Sequence, residues 1–160
     1  MAYMTPKQIL LFRHAEKPSL KNDPGLSAAG VQRAQQLVTY IPSQFGKPDF
    51  IFATAQGKSS NRPYLTVEPL ANALNMKIHN KIADNDFNKL ATELLTQPTY
   101  FGKLVVVCWH HGNIPNLANS LSAPIGSYPD PWKGSVFNLI LNIVYDESGN
   151  ASLTQVVEPF

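Results

Sequence analysis

Two short stretches of this sequence concentrate groups able to do chemistry. Arg13-His14 closes an apolar run from Gln8 to Phe12, and His110-His111-Gly112 closes another from Lys103 to Trp109. Between them a polar, glycine-containing loop, 55–61, leads through Ser59 to Arg62 and Pro63. A guanidinium presents a planar fork of donors that matches phosphate oxygens. A neutral imidazole at His14 can attack phosphorus while cations neutralise the equatorial oxygens. Brought together, Arg13, His14, Ser59, Arg62 and His110 make an oxyanion site, most simply one for a phosphate. Helices starting near Arg62 and Asn113 would add backbone N–H groups and the positive end of a dipole.

The elements that must position these groups follow from periodicity and punctuation. Gln8–Phe12, Asp49–Thr54 and Lys103–Trp109 read as buried strands, with a short strand at Lys77–His79. Ser27 is placed to cap a helix whose apolar face is Val31, Ala34, Leu37, Val38 and Ile41, ended or kinked at Pro42. A second helix runs from Pro63 to about Leu74, with Pro69 expected to disturb it. Phe87–Leu95 and Asn113–Leu121 are helical, the former with Asp86 as a possible N-cap. Ser135–Tyr145 and Ala151–Val157 flank Glu147-Ser148-Gly149-Asn150, a hairpin signal. The alternation predicts an α/β three-layer α/β/α sandwich with a mostly parallel central sheet and an antiparallel C-terminal edge hairpin, in a single domain over 1–160. In such sheets ligands bind outside the carboxyl ends of the strands, where the two histidine clusters fall.

Composition narrows the classes. At 160 residues, 44% hydrophobic and 15% charged, the chain is long enough for one core without staples. A formal charge of +2, with no block of like charges, gives no case for nucleic acid. No run approaches the length of a membrane span, and residues 1–6 lack the basic start of a signal peptide, so the expectation is a cytoplasmic protein without a membrane partner. The lone Cys108 sits in an apolar strand and is expected to be buried and inert. His110 and His111 are adjacent and lack metal-ligand spacing, so a metal site is not expected. His79 reads as a strand-edge histidine, Lys17 and Lys21 as loop charges, and Trp132 as either packing or cleft wall.

Several stretches together resemble the histidine phosphatase (phosphoglycerate mutase-like) family. Leu11-Phe12-Arg13-His14-Ala15-Glu16-Lys17 is similar to its Arg-His signature, and Leu26-Ser27-Ala28-Ala29-Gly30-Val31-Gln32-Arg33-Ala34 to the stretch that follows. Ser59-x-x-Arg62-x-x-x-Thr66, then Pro69-Leu70-Ala71, matches its second arginine motif, and Val105 to Pro115 its late histidine motif. The resemblance runs from about Ile9 to Pro115 in the family's order, and in size and motif order the chain is similar to the small bacterial phosphohistidine phosphatases. It implies a phosphohistidine intermediate on His14, phosphoryl oxygens held by Arg13 and Arg62, Ser59 holding Arg62 or lining the pocket, His110 as the second pocket histidine, and no required metal or organic cofactor. The substrate would be a phosphorylated small molecule or a phosphoprotein. The chain departs from the family at His111, where a small residue is usual, and in its general acid. Asp84 and Asp86 are the carboxylates offered for that role. The rival of a different class is a non-catalytic phosphate-binding domain of the same fold.

Overall fold

The computed structural model describes residues 2–160. Six strands form one sheet: β1 (Gln8–Arg13), β2 (Phe50–Ala53), β3 (Ile78–His79), β4 (Leu104–Trp109), β5 (Leu139–Tyr145) and β6 (Ala151–Val157). Their spatial order is β3-β2-β4-β1-β5-β6. The first four are parallel, with Arg13 opposite Trp109 and Ala53 opposite Cys108. β5 runs antiparallel to β1, and β6 antiparallel to β5. This is the expected mostly parallel sheet with an antiparallel edge.

Strand alternation sorts the core into two layers. Ile9, Leu11, Val105, Val107 and Trp109 face one side, where they meet α3 (Phe87–Thr96) and α4 (Ile114–Ser120). Leu10, Phe12, Val106 and Cys108 face the other, beneath α1 (Ala28–Phe45) and α2 (Arg62–Ala73). β1 and β4 are therefore covered on both faces, which is why their sequences are apolar almost throughout. Cys108 is fully buried, and burial pushes its thiol well above the usual range.

Three details refine the sequence expectation. Pro42 and Pro69 both lie inside their helices, and neither ends its helix. The buried stripe of α1 ends at Ile41, just before Pro42, whereas Val67, Leu70 and Ala71 of α2 lie on both sides of Pro69. Val31 is half exposed, and Gly30 takes the buried position instead. The β5 strand begins only at Leu139, because the segment before it turns its carbonyls to side chains: Trp132 Nε1 donates to Val136 O at 3.0 Å, and Arg13 Nη1 to Gly134 O at 2.7 Å.

The start of α1 is pressed onto the residue two beyond His14. Ser27 is the N-cap, with its hydroxyl accepting from the Gly30 amide. The Ser27 amide donates to Glu16 O at 2.9 Å. A Cβ at position 30 would run into the Glu16 carbonyl, so only glycine admits this approach. Arg33, one turn on, grips the Glu16 carboxylate with Nε at 2.9 Å and Nη2 at 3.1 Å, and Nη1 reaches the buried Glu158 at 2.8 Å. Gly30→Ala should therefore displace the Glu16 loop. We expect a stability loss of about 1–3 kcal/mol, the usual cost of overpacking, in denaturant unfolding. Any activity seated at His14 should fall with it. Wild-type stability in this variant would mean that the contact yields freely.

Candidate active site

The carboxyl ends of β1, β2 and β4 open into one cleft. It is lined by Arg13, His14, Lys17, Ser59, Ser60 and Arg62 on one side and Asp84, His110 and His111 on the other. Thus six of the seven residues singled out from sequence (Arg13, His14, Ser59, Arg62, Asp84 and His110) share a single wall system. The seventh does not. Asp86 is exposed, lies outside the lining, and occupies the N-cap position of α3 without a side-chain capping bond.

His14 is 3% exposed and its ring is oriented from below. Nδ1 lies 2.7 Å from Ala15 O. A carbonyl only accepts, so Nδ1 carries the proton and Nε2 keeps its lone pair. Nε2 stands 3.5 Å from Arg13 Nη2. Burial, with further contributions from the Arg13, His110 and Arg62 charges, lowers the His14 pKa to about 3, against the opposing pull of the Ala15 carbonyl. The imidazole is neutral at any ordinary pH. His110, rather than His111, stands against it, with ring centroids 5.5 Å apart and edge to face. His110 is also held below the usual histidine range by burial, partly offset by Asp84.

Arg13 is fixed from three directions. Nη1 donates to Gly134 O, Nη2 faces His14, and its guanidinium carbon lies 3.8 Å above the Phe137 ring, a cation–π distance. Burial lowers its pKa to about 10, which leaves it cationic. Arg62, at the first turn of α2, spends Nε on Gly25 O at 2.9 Å and Nη2 on Asp23 O at 2.7 Å. Thr66, 1% exposed, joins the two halves: its hydroxyl accepts from the Ala15 amide at 2.8 Å and donates to Arg62 O at 2.8 Å. The backbone after His14 and the backbone of Arg62 are thereby tied to one oxygen.

Asp84 is held by the late histidine motif itself. Asn113 Nδ2 donates to its Oδ2 at 3.0 Å, and Trp109 Nε1 to its carbonyl at 3.1 Å. Among the described residues, the buried side-chain atoms without a protein partner are Arg13 Nε, Thr54 Oγ1 and Asp84 Oδ1. Arg13 and Asp84 line this cleft, and Thr54 directly follows the neighbouring β2. Unsatisfied buried polar atoms are costly, and they concentrate where a ligand completes the bonding. His111 lines the same cleft on the Gly134 side. Trp132 is buried packing that supports the carbonyls around Arg13, not cleft wall.

Thr66, Phe137 and Gly134 received no role from the sequence. A threonine on the buried face of α2 was a signal for Thr66. Nothing local marked the other two, which reach Arg13 from more than a hundred residues away.

The fold is the one seen in solved structures of histidine phosphatases and of a phosphoglycerate mutase. The protein histidine phosphatase SixA, solved with tungstate, superposes over 94% of this chain and 96% of its own, with a TM-score of 0.67 at 18% identity. Phosphoglycerate mutase from Plasmodium falciparum covers 98% of this chain and 94% of its own, with a TM-score of 0.66 at 17% identity. A mycobacterial glucosyl-3-phosphoglycerate phosphatase solved with inorganic phosphate covers 96% and 97%, with a TM-score of 0.63 at 14% identity. No protein-family profile and no curated protein sequence matches the chain.

Proposed function

We propose that this chain is a phosphatase that hydrolyses a phosphomonoester or a phosphohistidine through a covalent intermediate on His14. The observation that carries the reading is the orientation of His14. Its Nδ1–H is committed to Ala15 O, which leaves the Nε2 lone pair beside the Arg13 guanidinium and across from His110. The solved structures of like fold include phosphatases, one with tungstate and one with phosphate, which supports an oxyanion at this cleft.

Nε2 attacks phosphorus, the bond from phosphorus to the leaving oxygen or nitrogen breaks, and the phosphoryl group rests on His14. Arg13, Arg62 and His110 stabilise charge on the equatorial oxygens. An alkoxide leaving group takes a proton as it departs, and we assign that proton to Asp84. Water then cleaves the N–P bond, releases phosphate and restores neutral His14. A leaving nitrogen is readily protonated and depends less on Asp84.

Among the described residues, no three His, Cys, Asp or Glu side chains are grouped to hold a metal, and no helix is long and apolar enough to cross a membrane. Hydrolysis of 4-nitrophenyl phosphate should be measurable and should persist in EDTA, because the chemistry uses imidazole and guanidinium groups. Loss in chelator with recovery on adding zinc or magnesium would overturn the metal-free mechanism. Binding of phosphate without any turnover would favour the non-catalytic reading.

A further inference from the structure

The phosphate cleft continues into a wider trough of about 690 Å³, a size suited to a small organic molecule. Lys17, Ser59, Ser60, Arg62 and His110 line both spaces. Beyond them the trough is walled by Pro18, Leu20 and Lys21. Three cations therefore face it, Lys17, Lys21 and Arg62, and no carboxylate does. Asp84 lines the phosphate cleft but not the trough. Of the acids adjoining this segment, Glu16 is taken up by Arg33, and Asp23 Oδ1 accepts from the Gly25 amide at 2.8 Å.

The wall is anchored at both ends. At one end Glu16 is held by Ser27 and by the fork of Arg33. At the other, Arg62 binds the Asp23 and Gly25 carbonyls, and the Asn61 amide binds Pro24 O at 2.9 Å. A turn from Leu20 to Asp23, closed by the Asp23 amide on Leu20 O, presents Lys21. Leu20 is 72% exposed at the rim, an apolar side chain with nothing packed over it.

We propose that this trough is a leaving-group subsite, and that the substrate is a small organic phosphate whose leaving group has an apolar body and a second anionic group. The inference rests on the cleft binding a phosphoryl group, as argued above. Pro18 and Leu20 supply the apolar contact, and Lys17 and Lys21 select the second anion. Such exposed pairs act mostly as discriminators, and they weaken with salt.

Binding of two non-hydrolysable probes, phenylphosphonate and 3-carboxyphenylphosphonate, tests this without requiring turnover. At low ionic strength the carboxylated probe should bind about 5-fold tighter, the scale of one or two exposed ion pairs. Raised salt should narrow that ratio, and Lys21→Glu should bring it to one or below. Equal binding of the two probes by the wild-type protein, or a preference that survives Lys21→Glu, would overturn the subsite. The corresponding phosphate esters separate this inference from the phosphatase reading. A Lys21-dependent binding preference without hydrolysis would leave the subsite standing and defeat catalysis alone. Failure of both phosphonates to bind would defeat the subsite together with the phosphoryl site on which it rests.

Discussion

His14→Ala should abolish hydrolysis to within the background of the assay. A covalent route has no substitute attacker, because His110 presents its ring edge to face and lacks the carbonyl that fixes the His14 tautomer. The fold should survive, since the side chain lies at a strand end beside the cleft rather than among the core clusters. The same variant carries a pH signature. Folded His14 titrates at about 3, whereas the unfolded imidazole has its ordinary value near 6.5. Between those limits the unfolded chain binds the extra proton, so wild-type stability falls as pH drops from 6.5 towards 3. His14→Ala removes that linkage and should lose less stability over the same interval in denaturant titrations. Near-normal turnover would exclude His14 as the nucleophile. An unchanged pH slope would mean that its imidazole is not held neutral by burial.

Asp84→Asn should reduce turnover of an alkyl phosphate by about 10²–10⁴-fold, the span usual for general acid catalysis. An aryl phosphate should suffer much less, because a nitrophenolate leaves with little need of a proton. Asp86→Asn is the internal control. That side chain is exposed, outside the cleft and uninvolved in a capping bond, so both substrates should turn over as before. Equal, small losses on the two substrates in Asp84→Asn would remove Asp84 from the acid role. A phosphoramidate substrate would then become the better account of the cleft.

What could be read from the sequence was local. Arg13-His14 and His110 were legible because a residue just past an apolar strand must emerge at the carboxyl edge of the sheet. Ser27 was legible as a helix start, whereas Gly30 stood only within the family-like stretch, and its reason is the Glu16 carbonyl pressed against it. Asp84 and Asp86 could not be separated, because both sit in the same short turn before α3. Asn113 and Trp109, which arrive from β4 and the turn after it, hold Asp84 at the cleft and leave Asp86 outside it. The support of Arg13 was equally hidden. Val136 and Phe137 read as the beginning of a strand, yet the fold uses that segment to bring carbonyls and a ring to the guanidinium. At the prolines the sequence left alternatives open, and the helices continue past both, to Phe45 beyond Pro42 and to Ala73 beyond Pro69.

The most direct test of the account is to trap its intermediate. Wild-type protein mixed with 4-nitrophenyl phosphate for milliseconds, then quenched in alkaline detergent to preserve phosphohistidine, should carry one added phosphoryl group. Peptide mass spectrometry should place it on His14, and His14→Ala should carry none. Steady hydrolysis with no labelled protein at any time, or a label on His110 or on a residue outside the cleft, would contradict the mechanism.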